Sequence, residues 1–194
     1  MILGGGNMAF PTATQKLSGL AQITENLYLG SARAAHDKAV VSSLHVTCII
    51  NATENVENDV ASTVELVRVS VLDSPSAPII DHFDVIADKI HLVEEQSGRT
   101  LVHCNAGVSR SSTLCLAYLM KYRDMSLVEA HRWVKARRPL IRPNSGFWKQ
   151  LIEYERRLRG IITVTMIMSS VGEVPDLYEK EVKDMVALGN LLTF

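Results

Sequence analysis

Cysteine is scarce in this sequence: Cys48, Cys104 and Cys115 are the only three in 194 residues. An odd, scattered set offers no disulfide framework, and no CxxC pair begins a zinc site. Reduced thiols in an intracellular compartment are the natural expectation. Long apolar runs are absent, and Ile161 to Met168 is far too short to cross a bilayer. An excess of one charge is also absent. Lys plus Arg number 20 and Asp plus Glu 21, a net charge of −1, which argues against a globally basic nucleic-acid binder. The first residues, Met1 to Gln15, carry no charged side chain, and Gly4-Gly5-Gly6 breaks any apolar stretch. That excludes the basic start of a secretory leader, and Ile2 excludes N-myristoylation. An address read by another protein is left open.

What is present is ordinary for a globular domain: 47% apolar and 21% charged residues. The length suits one domain with a core that needs neither disulfide nor metal. Residues 1–18 read as a loose arm. Ile23 to Leu29 reads as a strand closed by Gly30, and Ser31 as the cap of a helix reaching about Leu44. Val46 to Ile50 is a short β-branched run suited to a buried central strand. Leu66 to Leu72 reads as a further strand. Asp73 to Pro78 is a loop, since its two prolines block helix and ladder alike. Phe83, Ile86, Ala87, Ile90 and Val93 make one helical stripe from Asp81 to about Glu95. Thr100 to His103 is a short strand. Helices are expected at about 110–123, 126–137 and 144–159, with Ser126 and Glu129 as a capping box. The fold class is therefore α/β, a central and mostly parallel sheet flanked by helices. Residues 120–160 hold eleven Lys and Arg against four acids, so the remainder carries −8. A solvated, compensated face is the plain reading; a field that steers an anion is the alternative.

Chemistry concentrates in His103-Cys104-Asn105-Ala106-Gly107-Val108-Ser109-Arg110-Ser111. A strand leads in and a helix leads out, so successive N–H groups gather at the positive end of a helix dipole. Such a nest fits an oxyanion of phosphate size. Gly107 permits the tight turn. A thiol at that point is expected to be acidic, making Cys104 a thiolate at neutral pH. Arg110 can grip two phosphate oxygens with its planar fork. Ser111 can donate its hydroxyl to the sulfur, and His103 is expected to orient the loop rather than act as base. A phosphomonoester also needs a proton for its leaving oxygen. Asp73 is the candidate, because loops at the carboxyl ends of parallel strands share one edge; Asp81 is the runner-up and a candidate helix cap.

His103-Cys104, five intervening residues, then Arg110-Ser111 resembles the signature of the cysteine-dependent protein phosphatases. The spacing from Asp73 to Cys104, together with Ala117-Tyr118-Leu119-Met120 and Arg142-Pro143-Asn144-Ser145-Gly146-Phe147, is similar to the small atypical dual-specificity phosphatases. The similarity covers roughly residues 19–160, leaving 161–194 as a C-terminal extension whose Val174 to Glu181 stretch resembles that of a close subgroup. The resemblance implies Cys104 as nucleophile, Arg110 as phosphate binder, Asp73 as general acid and Ser111 as the aid to thiolate release. It also implies that the amides of Asn105, Ala106, Gly107, Val108 and Ser109 bind phosphate and that Asn144 braces the loop, although Asn144 also suits a helix cap. The reaction implied is hydrolysis of phosphotyrosine and phosphoserine or phosphothreonine in proteins, without metal or cofactor.

The loop carries no charge besides Arg110, which speaks against a phosphoinositide substrate. An RNA 5′-phosphate or lipid ester is the alternative substrate, and a phosphoprotein-binding module without turnover is the alternative class. Cys48 and Cys115 are expected as buried fillers, either one a conceivable redox partner of Cys104. Tyr118, Leu119, Met120 and Trp148 are expected in the core, and His131 as an ordinary helix residue. Partners are expected to be phosphoproteins, with mitogen-activated protein kinases or their regulators as family-typical targets, and no nucleic acid. The expected location is cytoplasm and nucleus.

Overall fold

A computed structural model describes residues 19–54 and 61–191. The expected arm over residues 1–18, and Leu192-Thr193-Phe194, lie outside the described residues. Strands β1 (Leu20–Gln22), β2 (Leu27–Ser31), β3 (Cys48–Asn51), β4 (Glu65–Arg68) and β5 (Thr100–Cys104) form one sheet in the order β1-β2-β5-β3-β4. Only β1 runs antiparallel to its neighbour; β2, β5, β3 and β4 are mutually parallel. The single strand expected over Ile23 to Leu29 is in fact the end of a hairpin. Ile23 N–H donates to Leu27 C=O at 2.8 Å, and the Thr24 hydroxyl accepts from the amides of Asn26 and Leu27. That local bonding turns the chain where apolar pattern alone suggested continuity.

The helix expected from Ser31 to Leu44 is likewise two, α1 (Ala32–His36) and α2 (Lys38–Ser43). Ser31 caps the first as expected, but Asp37 interrupts it by capping the second, accepting from Ala39 and Val40 N–H at 3.1 Å. Helix α3 (Phe83–Glu95) starts two residues later than expected. Asp81 sits in a preceding 3-10 turn, Ile79–His82, and does not cap α3. Its expected stripe holds: Phe83, Ile86, Ala87, Ile90 and Val93 are all buried. Helices α4 (Arg110–Tyr122), α5 (Leu127–Arg137) and α6 (Ser145–Arg159) match expectation closely, including the Ser126–Glu129 capping box.

Side chains alternate across the sheet. Leu27, Leu29, Cys48, Ile50 and Val102 join the large core under α3 to α6, whereas Tyr28, Ile49 and Leu101 join the smaller core under α1 and α2. Burial on both faces explains why these strands read as unbroken apolar runs. Helix α4 is the hub, with every residue from Arg110 to Met120 buried.

The C-terminal extension is built onto this core. It forms a hairpin, β6 (Met166–Ser169) with β7 (Gly172–Pro175), then a 3-10 turn Asp176–Tyr178 and helix α7 (Glu179–Leu191). Val164, Tyr178 and Val182 belong to the large core. The fully buried Glu155 carboxylate pins its start, accepting from Thr163 N–H and hydroxyl and from Leu127 N–H at 2.6–2.7 Å.

The basic stretch is compensated as the plain reading has it. Lys121 pairs with Asp84 and Asp88, Arg123 with Glu94, Lys149 with Glu173 and Arg142 with Glu181. Arg156 and Arg157 share Glu153, and Arg159 meets Asp124.

Candidate active site

The sheet ends β2, β3 and β5 at one edge, and β5 delivers Cys104 there with 2% of its surface exposed. The chain then loops through Asn105 to Ser109 into α4. Among the described residues, no backbone carbonyl accepts from the N–H groups of residues 105–110. The loop is thus a ring of unspent donors at a helix N-terminus, the arrangement an oxyanion needs. Four donors reach the sulfur. The Ser111 hydroxyl donates to Sγ at 3.2 Å, joined by the amides of Gly107, Val108 and Ser111. Burial opposes ionisation of Cys104, but these hydrogen bonds outweigh it and hold the thiol below its ordinary range.

One arginine that the sequence reading missed sets this geometry. The buried Arg138, at the end of α5, donates Nε to Gly107 C=O at 2.7 Å and Nη2 to Ala106 C=O at 2.9 Å. In a trans peptide the C=O and the following N–H point in opposite directions. Gripping the carbonyls of Ala106 and Gly107 from outside therefore aims the N–H groups of Gly107 and Val108 inward, at the sulfur. The turn needs a glycine: Gly107 has φ +67°, and a Cβ there would sit 2.5 Å from Gly30 C=O and 2.7 Å from Arg138 Nη2. The signal for Arg138 in the sequence was one arginine among several in a basic run; its role follows from where α5 ends.

Asp73 reaches the same loop. Its Oδ1 accepts from the Ser109 hydroxyl at 2.7 Å and from Asn144 Nδ2 at 3.0 Å. Oδ2 lies 3.7 Å from Arg110 Nε. Oδ1 is thus committed, and Oδ2 is the oxygen left to exchange a proton with a bound group. Asn144 serves both roles that the sequence left unseparated. Its Oδ1 caps α6 through Phe147 N–H at 2.9 Å, and its backbone N–H meets the Ser109 hydroxyl at 3.3 Å. Its hold on Asp73 was not foreseen. The loop bearing Asp73 is fastened to α6 as well. Gln150 accepts from Ile80 N–H and donates to Ala77 C=O, both at 2.9 Å, and a Cβ on Gly146 would fall 1.8 Å from Pro75 C=O.

Arg110 is 8% exposed at its side chain. Nη1 donates to Val71 C=O at 3.2 Å, while the buried Nε has no hydrogen-bond partner. A buried donor in that state, beside the loop and the Asp73 carboxylate, is matched to an incoming anion. His103 is fully buried, and burial pushes its imidazole down to about 4, which favours its neutral form.

Both other thiols are buried and free, as expected. Burial pushes Cys48 up to about 11 and Cys115 further. Cys48 lies opposite Thr100 in the ladder, four residues from Cys104. At about 3.3 Å per residue that is roughly 13 Å, beyond disulfide reach.

The arrangement brings an acidified thiol, an oxyanion cradle and a carboxylate from a neighbouring loop to one point, which suits phosphoryl transfer. Comparison with known proteins agrees. The family described as "Dual specificity phosphatase, catalytic domain" matches residues 27–157. Dual specificity protein phosphatase 18 of Homo sapiens is 53% identical, over 93% of this chain and 97% of the relative. Dual specificity protein phosphatase 14 of Homo sapiens is 52% identical, over 88% and 86% respectively. The crystal structure of human DUSP28 superposes with a TM-score of 0.71 at 35% identity, covering 73% of this chain and 95% of that one.

Proposed function

The chain belongs to the dual specificity phosphatases and dephosphorylates phosphotyrosine and phosphoserine or phosphothreonine in proteins; on that premise we propose how its residues divide the work. Arg110 and the amides of residues 105–110 bind the phosphoryl oxygens. Cys104 Sγ attacks phosphorus as the bond to the ester oxygen breaks, and Asp73 Oδ2 delivers a proton to that oxygen. A water then attacks the cysteinyl phosphate and gives its proton to Asp73. The phosphorus–sulfur bond breaks, and the Ser111 hydroxyl receives the returning thiolate with a hydrogen bond. The amides and Arg110 face the charge that builds on the equatorial oxygens, so the cradle acts most strongly in the transition state.

The observation that carries this reading is the convergence on one loop. Ser111 touches the sulfur, and Ser109 and Asn144 hold the carboxylate. Phosphoproteins are the substrates. Mitogen-activated protein kinases or their regulators, the targets typical of the family, are the first candidates. Cytoplasm and nucleus are the proposed location, supported by three free and buried cysteines. The test is hydrolysis of a phosphotyrosine and a phosphothreonine peptide, in EDTA and reductant, by the native chain, Cys104→Ser and Asp73→Asn. Cys104→Ser is expected to abolish both activities, and Asp73→Asn to cut them about 10²–10⁴-fold. Turnover by Cys104→Ser would overturn the assignment.

A further inference from the structure

One aromatic side chain of the C-terminal extension, Tyr178, packs between α5 and α6. Tyr178 is 3% exposed. It stands edge-on to His131 at 5.6 Å and Trp148 at 5.7 Å, with its hydroxyl 3.3 Å from His131 Nε2. Its ring is also the platform for two cations. The Arg142 guanidinium lies 4.7 Å from the ring centroid, and the Lys135 ammonium lies 5.8 Å away. Glu181, one turn into α7, pairs with the same Arg142.

Lys135 and the backbone of Arg142 meet at one peptide bond. Lys135 Nζ donates to Ile141 C=O at 3.0 Å. The N–H of that same peptide, on Arg142, donates to Val108 C=O at 2.9 Å. Val108 in turn supplies one of the amides that stabilise the Cys104 thiolate. The extension thus ends a short chain of contacts: Tyr178 ring, the two cations, the Ile141–Arg142 peptide, the Val108 backbone, the sulfur. A cation held against an aromatic face helps fix the Ile141–Arg142 peptide, whose N–H holds the Val108 carbonyl and so limits how far the Val108 N–H can swing away from the sulfur.

We propose that Tyr178 is a positioning residue for the nucleophile, so that residues 176–181 act in catalysis from outside the catalytic domain proper. The inference rests on Cys104 being the nucleophile. It needs the π-face of Tyr178, not merely its volume, and this separates it from a purely stabilising role. Tyr178→Leu fills the slot without that face, and Tyr178→Phe keeps it.

The experiment uses the full chain and measures three quantities: iodoacetamide alkylation of Cys104 at pH 6 and pH 9, kcat and KM on an aryl phosphate, and melting temperature. Tyr178→Leu is expected to slow alkylation roughly three- to tenfold at pH 6 with little change at pH 9, because fewer sulfurs are ionised when a hydrogen bond to the charged form is weakened. Its kcat should fall by a similar factor, and Tyr178→Phe should restore both. If the leucine variant does not fold, Tyr178→Met, whose flexible side chain refills the slot, takes its place. A variant that lowers the melting temperature while leaving both alkylation rates and kcat unchanged overturns the proposal. A native chain whose Cys104 is no more reactive than a free thiol at pH 6 overturns the nucleophile assignment, and the proposal with it.

Discussion

Replacing Arg138 tests how the loop generates its thiolate. The guanidinium makes two hydrogen bonds to carbonyls, at 2.7 and 2.9 Å, from a buried position. Hydrogen bonds from a charged donor are worth about 1.5–3 kcal/mol each, and removing the donor leaves both carbonyls unsatisfied. Arg138→Met should therefore cost the fold about 3 kcal/mol or more. The catalytic consequence is separate and more specific. Both carbonyls belong to peptides whose N–H groups point at Sγ, and loss of one such hydrogen bond, worth about 1.4 kcal/mol, is a tenfold change in the thiol equilibrium. Alkylation of Cys104 at pH 6 should slow roughly tenfold, and alkylation at pH 9 should be nearly unchanged. The kcat/KM for a phosphotyrosine peptide should fall at pH 6 and recover in part at pH 8. Arg138→Lys should lie between, since one ammonium cannot bridge two carbonyls as a planar fork does. Stopped alkylation over a pH series, with urea unfolding alongside, checks each part. An activity loss equal at every pH, with the alkylation profile unmoved, would refute the peptide-orientation argument and leave Arg138 as a support of the fold alone.

Two further outcomes follow from the same geometry. Asn144→Ala removes the α6 cap, worth about 1 kcal/mol, and one of the two donors on Asp73 Oδ1. The resulting kcat loss should be larger for a phosphothreonine peptide than for a nitrophenyl ester, whose leaving group needs no proton; equal losses on both would sever Asn144 from proton delivery. His103 and His131 supply a pH dependence of stability. Burial pushes both imidazoles down to about 4 from 6.5, so the unfolded chain binds more protons across that window. Their neutral burial costs nothing above pH 6.5, and stability falls as pH drops toward 4, by at most about 3 kcal/mol per histidine. Urea unfolding at pH 7, 5.5 and 4.5 should show the decline, and His131→Gln should have a shallower one; an unchanged slope would remove His131 from the account.

Much of this protein was legible in its sequence because the signals were local. The stripe of α3, the Ser126–Glu129 box and the strand–loop–helix around Cys104 each lie within a dozen residues, and each took the form expected. Local hydrogen bonding also accounts for the misread boundaries. Thr24 turns a hairpin and Asp37 splits a helix through side-chain contacts that an apolar pattern does not register.

The sequence by itself singled out Cys104, its loop and Asp73 as candidates, because the loop's chemistry is written in nine consecutive residues and Asp73 follows a strand of the same sheet. Tertiary structure alone decided what aims those groups. Arg138 is separated from Cys104 by a full helix–turn–helix, Gly146 matters only where α6 meets Pro75, and Tyr178 acts through the Ile141–Arg142 peptide. Such roles depend on distance and direction between remote backbone groups, and those are fixed only when α5, α6 and the extension pack around α4.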